Sequence, residues 1–150
     1  TNSYAKREHK HILTEMQRMH ADAACIFADA QTAGRGRNQR TWLSPPKVNL
    51  YATFYFRLRQ DISHLTTLAQ IIACSLCALL EKEELHPQIK WPNDIQLNGK
   101  KMGGILCELL FSPPFAEVFL GIGINVNMSE KDLKKIDQKA TSLKIETGKT

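Results

Sequence analysis

The chain has 150 residues and a mass of 17.0 kDa, the size of one domain able to bury about two thirds of its unfolded surface. A hydrophobic fraction of 43% with 23% charged residues excludes an intrinsically disordered chain, and eight Gly with six Pro exclude a collagen-like or low-complexity one. Twenty Lys+Arg against fifteen Asp+Glu leave a net charge of +5, which favours an anionic partner, and no apolar run reaches the roughly 18 residues of a membrane span.

Asn2 or Ser3 caps a predicted helix to about Met19, with Tyr4, Ile12, Met16 and Met19 near one face. Ala24 to Ala30 reads as a short buried strand, and Gln31 to Thr41, with two glycines and three arginines, as a loop. Leu50 to Leu58 alternates, Leu50, Ala52, Phe54 and Phe56 against Tyr51, Thr53, Tyr55 and Arg57, as in a strand covered on both sides. Asp61 or Ser63 caps a helix whose buried stripe is Leu65, Leu68, Ile72, Leu76, Leu79 and Leu80. Gln88 to Trp91 is a short strand stopped by Pro92, Asn93 and Asp94 are turn formers, and Ile95 to Leu97 is again extended. Asn98-Gly99 is a two-residue hairpin turn, returning the chain through Lys100 to Leu110. Val118 to Val126 is a further strand, and Ser129 with Asp132 opens a helix to about Lys139. Hairpins mixed with helices predict an α+β fold, a mixed, mainly antiparallel sheet with helices on one face.

Cys74 and Cys77 form a C-x-x-C pair with no second pair after it, and Cys25 and Cys107 sit in apolar stretches typical of buried strands. Neither zinc nor redox chemistry is expected from that pattern, and the compartment is expected to be the cytoplasm. Both ends read as cut, since no methionine opens the chain and Gly148-Lys149-Thr150 closes on what reads as an unfinished helix. The expectation is one domain, residues 1–150, truncated at both termini.

Three segments carry chemistry. In Gly34-Arg35-Gly36-Arg37-Asn38-Gln39-Arg40, glycines let a ligand approach the backbone and three guanidiniums repel one another unless an anion sits among them. A solvated basic turn, or a nucleic-acid contact with Trp42 stacking a base, is equally compatible with these residues alone. The hairpin at Asn98-Gly99 folds Lys101-Met102-Gly103-Gly104 back beside Lys90-Trp91-Pro92-Asn93-Asp94, and alternation lets only one of Lys100 and Lys101 face the shared site. In Gly121-Ile122-Gly123-Ile124-Asn125-Val126-Asn127 the glycines share one bare face, on which something flat can lie; a bend at a barrel corner is the plainer reading.

In this order the segments resemble the catalytic domain of biotin protein ligases. Thr1-Asn2 look like the end of that family's Ser-Thr-Asn motif, residues 31–37 like its glycine-arginine loop, and KWPND at 90–94 with KMGGIL at 101–106 like its most specific signature; GIGINVN at 121–127 and Ala140-Thr141-Ser142-Leu143 continue it. The serine before Thr1, an amino-terminal DNA-binding region and the small carboxy-terminal domain are absent from this sequence. The resemblance implies a class II aminoacyl-tRNA synthetase/biotin ligase-like fold and a two-step reaction. Biotin and MgATP give biotinyl-5′-adenylate, which then acylates a lysine of a biotin carboxyl carrier domain of acetyl-CoA carboxylase or a related carboxylase. It implies Lys101, Arg37 and Asp94 as catalytic residues, with Asp94 positioning Lys101 or a magnesium ion. Thr1, Gln31, Gly34, Arg35, Gly36, Lys101, Gly104, Leu106 and Gly121 would line the biotin pocket. Arg37, Arg40, Trp42, Lys90, Asn93, Lys101 and Asn125 would hold ATP, Trp42 and Asn125 at the adenine. A homodimer is compatible with the resemblance, while membrane and nucleic acid are not expected as partners. The alternatives are a lipoate ligase or lipoyl transferase and, further off, a noncatalytic nucleic-acid-binding domain.

Overall fold

The computed structural model describes residues 1–59, 65 and 67–149, so the cap assigned to Asp61 or Ser63 lies outside the described residues. The alternating strand is Leu50–Arg59 (β2), whose β-branched and aromatic residues suit a pleated surface. It lies between Ala23–Phe27 (β1) and Phe115–Ile124 (β6). Lys100–Ser112 (β5) adds to β6, followed by Asp94–Leu97 (β4) and Pro87–Lys90 (β3). All neighbours in this order, β1-β2-β6-β5-β4-β3, are antiparallel; the parallel element is an isolated bridge between Lys101 and Ala140. Asn98 and Gly99 have φ of 50° and 70°, the two positive values that the tight turn between β4 and β5 requires.

The expectation that helices cover one face is corrected. On β2 and β6, Tyr55 and Phe119 stack at 5.1 Å and pack with Ala5 and Met16 of the helix Asn2–Arg18 (α1). Their sequence neighbours Phe56, Val118 and Leu120 point the other way, into a cluster with Ala73 and Cys77 of the helix Leu68–Glu81 (α2). Both faces are apolar here, so each needs its own cover. Full burial of a side chain such as Phe119 contributes about 1.5–3 kcal/mol.

Other boundaries differ for identifiable reasons. Thr1 is the N-cap of α1, and its inward row is Asn2, Ala5 and Met16, while Tyr4 and Met19 are exposed. An apolar count misses Asn2 because a polar residue can be buried when its amide is fully bonded. β1 is an edge strand with Cys25 and Phe27 exposed, since α1 covers only its Ala24 and Ile26 side. In α2, Leu68, Ile72, Leu76 and Leu80 pack inward but Leu79 is exposed. β6 begins at Phe115 and ends at Ile124, where Asn125 N donates to Met102 O at 2.8 Å. Ser129 caps Glu130–Leu133 (α3), which stops well before Lys139. Residues 139–141 are instead held against the start of β5, Lys101 N donating to Lys139 O at 3.0 Å and Thr141 N to Lys101 O at 2.9 Å. Leu143–Thr147 (α4) is closed by Gly148 at φ 70°, so the helix expected to continue there ends. Among the described residues no helix is long and apolar enough to cross a membrane.

Candidate active site

Gly104 of β5 and Gly121 and Gly123 of β6 lie side by side on the α1 face, Gly104 opposite Gly123 and Leu106 opposite Gly121. Lacking side chains, they leave a recess that two residues from elsewhere enter. A Cβ on Gly123 would come within 2.7 Å of the Trp42 indole, and one on Gly104 within 3.2 Å. A Cβ on Gly121 would collide with the Asn2 amide. The bare face therefore receives an indole and a carboxamide. Asn2 is fixed by Nδ2 donating to Leu106 O (3.1 Å) and Glu108 Oε2 (3.0 Å), while Thr53 Oγ1 donates to its Oδ1 (2.6 Å). Trp42 Nε1 is buried with no hydrogen-bond partner among the described residues.

A β-bulge aims the lysine. Gly103 pairs with Ile95, but the next pair is Lys101 with Gln96, which leaves Met102 as the extra residue. Unbroken alternation from Gly103 would put Lys101 on the apolar α2 side. The bulge buries Met102 there and turns Lys101 to the face of Gly104 and Asp94. Its Nζ lies 2.8 Å from Asp94 Oδ1 and 5.3 Å from the Trp42 ring centroid. Lys100 faces away and pairs with Glu146 at 3.3 Å, so the two lysines divide as alternation requires.

The segment read as a plain loop is a small hairpin. Trp42 N donates to Gly34 O (2.8 Å), Gly36 N donates to Arg40 O (2.7 Å), and Arg37–Gln39 form the tip, with Asn38 and Gln39 at φ 53° and 60°. Gly34 sits where its two legs touch; a Cβ there would collide with the Trp42 carbonyl. The arginines are treated differently. Arg35 Nη2 pairs with Glu108 Oε2 at 3.0 Å and Nε donates to Ser3 Oγ at 3.2 Å, whereas Arg37 Nη1 donates only to the neutral Asn93 Oδ1 at 3.2 Å. Among the described residues no carboxylate pairs with Arg37, Arg40 or Lys90. Burial alone would raise the Glu108 carboxyl, but hydrogen bonds from Asn2 and Lys6 and the charges of Arg35 and Lys6 hold it below the ordinary glutamate range.

These parts enclose a cavity of about 360 Å³. Thr1, Gln31, Arg35, Gly36, Gly104, Leu106 and Gly121 line it, as do Arg37, Arg40, Trp42, Lys90, Asn93, Asp94 and Lys101. Two residues singled out from the sequence do not. Gly34 is buried in the hairpin, and Asn125, 2% exposed, donates its amide to Thr141 O at 3.0 Å and has Asn49 within 3.5 Å of its Oδ1. In this arrangement Asn125 holds the 139–141 segment in place and makes no wall. Trp42 lies on the glycine floor. Sequence reasoning placed Asn2 and Gly123 in motifs without assigning them a ligand, and missed Ser3 and Glu108. Gly104, Leu106 and Glu108 alternate along β5, so Glu108 was recoverable from period two once Gly104 was placed. Among the described residues no group of three His, Cys, Asp or Glu could hold a metal ion, and Asp94 faces Lys101.

Comparison with known proteins gives the family of the chain. The model of the biotin/lipoate A/B protein ligase family matches residues 6–125. The bifunctional ligase/repressor BirA of Salmonella typhimurium is 34% identical over 131 residues, 86% of this chain and 41% of that protein, so the chain spans about two fifths of that relative's length. Biotin protein ligase from Aquifex aeolicus, solved in complex with biotin and ATP, is 36% identical with a TM-score of 0.60, covering 83% of this chain and 51% of that one. Biotin protein ligase from Leishmania major, solved in complex with biotinyl-5-AMP, is 28% identical with a TM-score of 0.61, covering 88% of this chain and 57% of that one. With the family match running from within α1 to the end of β6, across the recess, the bulge and the arginine hairpin, the chain belongs to the biotin/lipoate A/B protein ligase family.

Proposed function

We propose that this chain activates biotin with MgATP and passes it to a lysine of a biotin carboxyl carrier domain. The observation that carries the reading is the charge pattern of the cavity. Arg37, Arg40 and Lys90 have no carboxylate partner among the described residues, and Lys101 stands at the edge of a glycine-floored recess. That arrangement suits a polyanion held beside a flat, largely apolar acid.

In the first step a carboxylate oxygen of biotin attacks the α-phosphorus of ATP. The bond from that phosphorus to the bridging oxygen breaks, and pyrophosphate leaves with the electron pair. Two anions must meet, so fixed positive charge between them supplies most of the acceleration available to the protein. Lys101, oriented by Asp94, is that charge, with Arg37 and Arg40 at the phosphates and Lys90 and Asn93 beside them. In the second step the amine of the carrier lysine attacks the carbonyl carbon, a C–N bond forms, AMP leaves and the ammonium proton is lost. The protein needs no nucleophile of its own. Biotin lies along Gly104, Leu106 and Gly121 with Thr1, Gln31, Arg35 and Gly36 around it, and Trp42 packs over the adenylate.

Magnesium would enter as part of MgATP, since Mg²⁺ is held mainly by substrate phosphates with one or two carboxylates, for which Asp94 in the cavity lining is available. The carrier belongs to acetyl-CoA carboxylase or a related carboxylase, and the cytoplasm is the compartment this reading assigns. Neither membrane nor nucleic acid is a partner in it, and a homodimer is compatible with it. The test is exchange of labelled pyrophosphate into ATP with biotin or lipoate. Biotin-dependent exchange at least tenfold above that with lipoate is expected. Exchange with lipoate alone would make the chain a lipoate ligase, and steeply salt-dependent nucleic-acid binding without exchange would make it a binding domain.

A further inference from the structure

We infer that Glu108 is a positioning residue that commits Arg35 to the acid-binding end of the cavity and leaves Arg37 and Arg40 as the hairpin arginines with no carboxylate partner among the described residues. The inference rests on the ligase reading for its substrate, and on geometry alone for the commitment. Both carboxylate oxygens of Glu108 are occupied. Lys6 Nζ lies 3.2 Å from Oε1, Asn2 Nδ2 donates to Oε2 at 3.0 Å, and Arg35 Nη2 reaches the two oxygens at 3.3 and 3.0 Å. Three donors from two parts of the chain, α1 and the arginine hairpin, therefore meet at one carboxylate of β5. The side chain of Glu108 is 18% exposed and that of Arg35 is 46% exposed, so the carboxylate is the anchored member and the guanidinium the held one.

The consequence is a division of labour. Arg35 is tied to a carboxylate fixed in β5 on the Asn2 and Leu106 side of the cavity, whereas Arg37, bonded to the neutral amide of Asn93, and Arg40 are the hairpin arginines left to meet a phosphate. Arg35 instead presents a fixed wall beside Asn2 and Leu106, next to the recess where the acid lies.

The experiment compares Glu108→Gln, Arg35→Met and the double variant in the pyrophosphate-exchange assay, with amide exchange of the ligand-free proteins. Each single variant is expected to raise KM for biotin by about tenfold, leaving kcat and KM for ATP within about twofold. The double variant should be no worse than either single one, because both remove the same interaction. Amide exchange at Gly36, whose N–H is bonded to Arg40 O, should quicken in Glu108→Gln while that of α2 stays unchanged. Additive losses, a fall in kcat with KM for biotin unchanged, or unaltered exchange at Gly36 would overturn the assignment. If Glu108→Gln does not fold, Arg35→Met alone decides, and a normal KM for biotin rejects the proposal. Absence of biotin-dependent exchange in the unmodified protein would instead remove the ligase reading, and exchange at Gly36 would still report on Glu108.

Discussion

The two faces of the sheet are built from the same strands to opposite ends. On the α2 side, Val118, Leu120, Ile105 and Ile95 pack their own branched side chains together, and the face is a packed core. On the α1 side, β5 and β6 give up side chains at Gly104, Gly121 and Gly123, and the space is taken by Trp42 from the hairpin and Asn2 from α1. The second face thereby joins three distant parts of the chain. A core substitution should act on folding, and a recess substitution on binding.

The largest separation is expected at the paired lysines. Lys101→Ala should slow adenylate formation about a hundredfold, roughly 3 kcal/mol of lost transition-state stabilisation, because its charge has no substitute between carboxylate and phosphate. Lys100→Ala, which loses only the outward pair with Glu146, should stay within about twofold in single-turnover kinetics. Equal losses would mean that the bulge at Met102 does not set the direction of Lys101.

Leu120→Ala against Gly123→Ala breaks the comparison from both sides. The first creates a cavity beneath α2 and should cost about 2–5 kcal/mol in denaturant unfolding, with the folded fraction still active. The second drives a methyl group into the Trp42 ring and should cost about 1–3 kcal/mol, yet reduce biotin binding by an order of magnitude. Titration calorimetry alongside unfolding separates them.

Arg37→Gly should leave adenylate formation within about tenfold, since Lys101 remains, but shorten retention of the intermediate. The hairpin tip is tied to the KWPND segment by Arg37 and Asn93, and without that tie a reactive mixed anhydride escapes. Incubation with biotin, MgATP and a bystander protein should show biotin attached to bystander lysines, and a mutant that makes adenylate but labels no more than the parent contradicts the role.

A smaller effect separates two groups beneath α1 by pH. Glu108, at the site end, has a lowered carboxyl, so its stabilisation is present above about 4.5 and is lost as pH falls through the lower folded value. At Tyr55, burial first, then the charge of Glu117, pushes the hydroxyl up to about 12; its contribution is present below about 10 and is lost as pH rises through 12. Unfolding curves of Glu108→Gln and Tyr55→Phe should converge on the parent curve at acid and at alkaline pH respectively.

Much of this was legible in the sequence because period-two alternation and turn chemistry are local. The Asn98-Gly99 hairpin, the β2 pattern and the bare glycine row need only neighbouring residues to be recognised. The second covered face was not, since which helix reaches which face is a property of the whole sheet. Nor was the bulge: Lys100 and Lys101 could be told to diverge, but only the register against β4 says which one enters the site. Asn2 and Glu108 escaped for a related reason. Each is a polar residue whose burial becomes reasonable only when its distant partners are in place.

The central claim is that the recess and hairpin form one ligand site on a sheet whose other face is purely structural. Amide hydrogen exchange with and without a non-hydrolysable biotinyl-adenylate analogue tests it directly. The hairpin is already held by Gly36 N donating to Arg40 O and Trp42 N to Gly34 O, so further protection of its amides requires contacts from a ligand lying there. The account predicts strong protection at residues 34–42, 90–94 and 121–123, with exchange in α2 unchanged. Protection spread evenly over both faces, or none at the hairpin, would contradict it.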